Sequence, residues 1–169
     1  MIRQVNPADG AAICGIYNYY IENTTFTFEE TIVQISEMEE RIRKICAKYP
    51  YIVMEEESGH GEVNGFAYIN TWKERSAYRF SAEVSIYIRD GFQGKGIGRK
   101  LMERLIEETR IAGIHSLVAG ITLPNERSVA LHEKIGFSKI AQFKEIGYKF
   151  NKWLDVGYWE LLLKQQELP

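Results

Sequence analysis

The chain has 169 residues, 45% hydrophobic and 26% charged, enough for one domain whose core needs no disulfide or metal to hold it. Its formal charge of −2 excludes a basic field that would attract nucleic acid or an anionic membrane surface, so an anionic ligand has to be gripped locally. The N-terminal MIRQVNPADG lacks the apolar core of a signal peptide, and no run approaches the roughly 20 apolar residues of a membrane helix. The expectation is a cytoplasmic protein with no membrane or nucleic-acid partner. Cys14 and Cys46 lack a C-x-x-C spacing and are expected to be buried thiols, with no metal site.

Asn6, Pro7 and Asp9 read as an N-cap, a first-position proline and a first-turn acid, after a short strand at Ile2 to Val5. Ala12, Ile13, Ile16, Tyr17 and Tyr20 then follow at helical spacing, predicting a helix from Pro7 to Glu22. Ser36 and Glu39 have capping-box spacing ahead of a second helix with Met38, Ile42, Ile45 and Cys46 on its apolar face, ending before Pro50. Tyr51 to Glu55 and Val63 to Trp72 read as strands joined through the turn SGHG. Alternation of Val84, Ile86 and Ile88 with Ser85 and Tyr87 gives a further strand. A helix at Arg99 to Ala112 ends at Gly113, followed by a strand at Ser116 to Thr122 and a helix at Glu126 to Ile135 that stops at Gly136. Two last strands lie near Phe137 to Lys149 and Asp155 to Lys164, with Lys149 to Asp155 as their loop. The order is that of a single mixed α/β (α+β) domain.

Between the strand EVSIYI and the helix beginning at Arg99 stands QGKGIG, Gln93 to Gly98. Glycines permit φ > 0 and close approach to the main chain, and the first N–H groups of a helix are unpaired, so this loop suits a pyrophosphate. Gly91 and Gly96 have Walker A separation, but Ile97 and Gly98 stand where Lys and Ser/Thr are needed. Gly94 and Gly96 begin a dinucleotide fingerprint, yet Arg99 replaces its third glycine and the loop lies mid-chain.

Gln93, Gly96 and Gly98 directly after a strand resemble the acetyl-CoA loop of GNAT-type N-acetyltransferases. LPNERSVALHEKIGF resembles the later motif of that family, while NTTFTFEE, TWKERSAY, AEVSIYI and GYKFNKWLDVGYW resemble its phosphinothricin and methionine sulfoximine acetyltransferase branch. The resemblance covers nearly the whole chain. It implies a mostly antiparallel central sheet flanked by helices, with central strands splayed near Ile88 and Thr122 to admit pantetheine. The implied activity is acetyl transfer to the amine of a small amino-acid-like substrate, with acetyl-CoA as cosubstrate and no metal.

For the cofactor the resemblance implies Ile86, Tyr87 and Ile88, the loop Gln93, Gly94, Lys95, Gly96, Ile97, Gly98 and Arg99, and Asn125, Ser128 and Lys134. Asn125, Ser128 and His132 share one helical face, and Asn125 reads equally as an N-cap. Glu83 is the implied general base, on the Ser85 and Tyr87 face by strand parity. His132 stands where many members carry a tyrosine that protonates the thiolate; it reads equally as a core histidine. Lys73, Glu74 and Arg75 match the substrate loop, or are a solvated turn, and Asn23, Thr24 and Thr25 close the same pocket. Phe26, Phe28, Tyr148 and Trp153 are pocket walls or core. The aromatic C-terminal hairpin suggests a homodimer. Alternatives are a coenzyme A-binding sensor without turnover, or a peptide or protein N-acetyltransferase.

Overall fold

The computed structural model describes residues 1–56 and 61–163. Ser58, Gly59 and His60 of the expected turn, and Lys164, lie outside them. Asn6 caps as read: its side chain accepts from Ala8 N at 3.0 Å while Asp9 returns to Asn6 N at 2.7 Å. The box closes a single 3-10 turn, Pro7–Asp9, so the α-helix α1 begins only at Gly10 and runs to Asn23. Helix α2, Ile35–Cys46, starts after Gln34 without a side-chain cap. Ser36 lies inside its first turn. The Glu39 stem packs on Gly10, its Cγ 2.6 Å from where a Cβ would stand, so it does not reach back to a capping position.

Among the described residues seven strands form one sheet in the order β1-β2-β3-β4-β5-β7-β6. They are β1 Ile2–Gln4, β2 Tyr51–Glu55, β3 Val63–Thr71, β4 Ser81–Ile88, β5 Ser116–Leu123, β6 Ser138–Lys149 and β7 Lys152–Leu162. Every pairing is antiparallel except β4 with β5. Helices α1 and α2 cover one face, burying Ile13, Ile21 and Ile42 on Val53 and Phe66. On the other face α3, Ile97–Ile111, and α4, Glu126–Ile135, cover a larger core in which Leu101, Met102 and Leu105 meet Ala67, Leu117 and Trp159. Strand alternation divides the two cores: Ala82, Val84 and Ile86 point to α3, while Glu83, Ser85 and Tyr87 point away from it.

Two expectations need correction. No loop joins the last strands from Lys149 to Asp155: Lys149 pairs with Lys152 across a two-residue turn, Phe150 and Asn151, at φ 51° and 57°. Both central residues in the left-handed region is the geometry that keeps the twist of a tight hairpin, usually supplied by Asn-Gly. Cys14 is buried, with its thiol 3.0 Å from the Val33 carbonyl, but Cys46 is exposed.

Candidate active site

The sheet opens at its centre. β4 and β5 pair only through Ser81, Ala82 and Glu83 with Ser116, Leu117 and Val118. Past Glu83, β4 continues with β3 and β5 with β7, leaving the Ile88 and Thr122 ends apart. Arg89 N donates to Asn64 O at 2.9 Å. Antiparallel alternation therefore turns the main-chain groups of Ile86 and Ile88 to the free edge, and those of Tyr87 to β3. The Ile88 carbonyl duly accepts from the Tyr20 hydroxyl at 2.7 Å, a contact with no sequence signature. With Ile88 held by Tyr20, the main-chain groups of Ile86 are the ones left on the free edge for an extended amide-containing arm.

Beyond Ile88 the loop turns on Gly91, Gly94 and Gly96, at φ 78°, 77° and 79°, with nothing within 4 Å of a Cβ at any of them. Gly96 is the N-cap of α3, and Lys100 N makes the first helical bond, to Gly96 O, at 3.1 Å. The N–H groups of Ile97, Gly98 and Arg99 thus face the loop opening with partial positive charge. Gly98 has a different task, since a Cβ there would stand 3.2 Å from Leu131 of α4. Lys95 folds over the Phe92 ring at 4.4 Å, and Gln93 lies 3.4 Å from Asp90. The Arg99 side chain bonds Glu103 at 2.7 Å, so its main-chain N–H is its contribution to this cradle.

At the other end of β4, about 17 Å away for five residues of strand, Glu83 projects toward β5, with Oε1 3.3 Å from where a Gly120 Cβ would be. Desolvation holds its carboxyl above the usual carboxylate range, and no cation offsets it. Tyr158 of β7 leans over Gly120, with Trp72 and Phe143 edge-on to its ring at 5.7 Å each. Lys73, Glu74 and Arg75 lie exposed in the β3–β4 connection and form no salt bridge among the described residues, Lys73 resting over Trp72 at 5.5 Å. They are near the Glu83 end, since Thr71 pairs with Ala82.

Asn125 caps α4, its side chain accepting from Ser128 N at 3.2 Å. His132 is 3% exposed, with Nδ1 2.8 Å from the Ser128 carbonyl and its ring edge-on to Phe137. A carbonyl partner requires the proton on Nδ1, leaving Nε2 bare, and desolvation lowers the tendency to protonate it. Lys134 is exposed in the last turn of α4, away from Asn125. Asn23 and Thr24 bond the carbonyls of Tyr19 and Tyr20 at 2.9 and 2.8 Å, finishing α1 at the mouth of the following loop, which Thr25 continues.

That loop is held by groups sequence reading missed. Lys149, 1% exposed, donates to the Thr27 carbonyl at 2.8 Å. Tyr17 bonds Thr27 and Glu29, and Arg41 grips Glu29 with both nitrogens at 2.7 and 3.0 Å. A lysine in a strand carries no sign of burial; only the topology brings it under the loop. Phe26, Phe28, Tyr148 and Trp153 are exposed and belong to neither core. A cavity of about 690 Å³ lies between α4 and the start of β7, lined by Asn125, Val129, Glu133, Trp153 and Asp155 among others. It is on the flank of α4 away from Leu131 and Gly98, and apart from Glu83.

Comparison with known proteins bears on the fold and the family. A L-methionine sulfoximine/L-methionine sulfone acetyltransferase of Salmonella typhimurium is 37% identical, the match covering 99% of this chain and 97% of that one. A phosphinothricin N-acetyltransferase of Streptomyces viridochromogenes is also 37% identical, over 99% of this chain and 88% of that protein. The solved structure of a GNAT superfamily phosphinothricin acetyltransferase from Sinorhizobium meliloti in complex with acetyl-CoA superposes with a TM-score of 0.92 at 34% identity, covering 99% of this chain and 93% of that one. The model for the acetyltransferase (GNAT) domain matches residues 2–157, and the chain belongs to that family.

Proposed function

We propose that this protein transfers the acetyl group of acetyl-CoA to the amine of a small amino-acid-like substrate such as methionine sulfoximine or phosphinothricin. The observation that carries the reading is the layout of β4: a free main-chain edge ending at one side in a cradle of helix N–H groups, at the other in a half-buried carboxyl. The open space at Gly91, Gly94 and Gly96 admits a pyrophosphate, the edge at Ile86 takes the pantetheine amides, and Asn125 borders the groove while capping α4. Bound acetyl-CoA supplies a thioester carbonyl carbon open to attack.

Glu83 takes one proton from the substrate ammonium, freeing the nitrogen lone pair. As the C–N bond forms and the C–S bond breaks, the nitrogen's second proton ends on the departing thiolate. Water carries that proton better than His132, whose only ring hydrogen is committed to Ser128. Lys73 and Arg75 offer cations to a substrate carboxylate or phosphinate, and the loop from Asn23 to Glu30, pinned by Lys149, closes over a small acceptor rather than a peptide. Ile146, Phe150 and Trp153 form an exposed apolar surface on the β6–β7 hairpin that we assign to a homodimer contact. Two unpaired thiols suit a cytoplasmic location.

The test is incubation with acetyl-CoA and an amine panel including methionine sulfoximine, phosphinothricin and an N-terminal peptide, following thiol release. Turnover with the small amino acids is expected. Thiol release only with the peptide, or acetyl-CoA binding with no release for any amine, overturns the reading in favour of a protein acetyltransferase or a sensor.

A further inference from the structure

Gly120 is a glycine without a backbone reason to be one. It lies inside β5, paired with Tyr158, and its φ is outside the left-handed region. What a side chain there would meet is specific: a Cβ would stand 3.3 Å from Glu83 Oε1 and 3.3 Å from Tyr158 Cε1. Both contacts are closer than ordinary van der Waals packing. A tyrosine ring lying over a cross-strand glycine accounts for Tyr158 alone. It does not account for a carboxyl arriving from β4, on the opposite side of β5, into the same space.

We propose that Gly120 and Tyr158 are positioning residues that seat the Glu83 carboxyl, Gly120 by leaving its side-chain space empty and Tyr158 by walling it. The proposal rests on Glu83 acting as the base. Because the β4 and β5 ladder ends at Glu83 and Val118, no strand bond beyond that point fixes how the side chain leans. The missing Cβ then sets the direction of its oxygen. The titratable groups that face Glu83 are Tyr68 of β3 and Tyr158 itself; neither brings a positive charge.

Gly120→Ala is expected to fold, since Gly120 is exposed, and to bind acetyl-CoA with unchanged affinity by calorimetry, since it belongs neither to the β4 edge nor to the α3 cradle. Displacing the carboxyl by a fraction of an ångström is expected to lower kcat roughly 10- to 100-fold. The loss is expected to vanish in the Glu83→Gln background, where adding Gly120→Ala changes kcat by less than about 2-fold. A purely structural glycine would cost the same factor in both backgrounds, and that result overturns the proposal. Tyr158→Leu supplies the second arm: with the wall gone and water admitted, the acid limb of kcat/KM is expected to move to lower pH. An unmoved limb there also overturns it. Should Glu83→Gln alone keep the wild-type rate, the base assignment has failed; should it collapse while Gly120→Ala runs at wild-type speed, only the seating has.

Discussion

A carboxyl held above its usual pKa by desolvation alone destabilises the folded state whenever it is ionised. Glu83 is such a group. Because the folded protein binds its proton more tightly than the unfolded chain, the penalty is absent below the ordinary carboxylate value, grows as pH rises toward the folded value, and is complete above it. Glu83→Gln is therefore expected to raise the melting temperature at pH 7 while lowering kcat about 10²- to 10⁴-fold. Wild-type turnover should rise with pH as Glu83 and then the amine lose protons, and the variant should keep only the amine's dependence. A variant that is no more stable and retains wild-type turnover from pH 6 to 9 removes Glu83 from the chemistry. Glu83 was singled out by the resemblance of AEVSIYI to the acetyltransferase branch, and strand parity added only its face, because a period of two needs no tertiary information. Gly120 and Lys149 were not legible: one acts through an absent atom and the other through a strand that approaches it only in the folded sheet.

Among the elements, the glycine loop separates two jobs that one motif conceals. Gly96 has φ 79° and empty space around its Cβ position, whereas Gly98 abuts Leu131. Gly96→Val is thus expected to add backbone strain of about 1–3 kcal/mol and to weaken acetyl-CoA binding with the fold retained, its side chain filling the phosphate's approach. Gly98→Val is expected to disturb α3–α4 packing first, seen as a lower melting temperature. Equal acetyl-CoA affinity in Gly96→Val and wild type would sink the phosphate assignment. The loop after α1 depends similarly on Lys149: Lys149→Met removes the bond to Thr27 and is expected to raise KM for the amine several-fold, leaving acetyl-CoA affinity unchanged. Unchanged KM there would show that Tyr17 and Arg41 hold the loop unaided. Helix and strand existence was legible from periodicity, but the 150–151 turn was not, because Phe150 in a left-handed conformation defies local preference. Such a choice persists only where something beyond the turn rewards it.

At the scale of the molecule, the two cores explain how an open sheet survives: each face has its own helices, so β4 and β5 can part without exposing either core. The larger core runs under both strands, with Ala82 and Val84 of β4 beside Leu117 and Ala119 of β5, so the gap beyond Glu83 opens in a sheet that its α3 and α4 face still holds together. Several apolar side chains are left uncovered at the far edge, where Ile146, Phe150 and Trp153 are 55%, 49% and 63% exposed on one hairpin. A residue strained into the left-handed region at its tip adds a cost, and under the proposed homodimer burial against a partner offsets it. The native mass by light scattering at micromolar concentration is expected to be twice that of the chain. Phe150→Asn combined with Trp153→Lys should halve it. The turn itself should hold, since asparagine tolerates the conformation that phenylalanine resists. Acetyl-CoA affinity in the halved species should match the wild type, because the α3 cradle and the β4 edge lie on the other side of β5 from the hairpin. A wild type that scatters as a single chain, or a double variant that stays paired, would remove this hairpin from the assembly and leave Phe150 to be explained by the Lys149 ammonium above its ring alone.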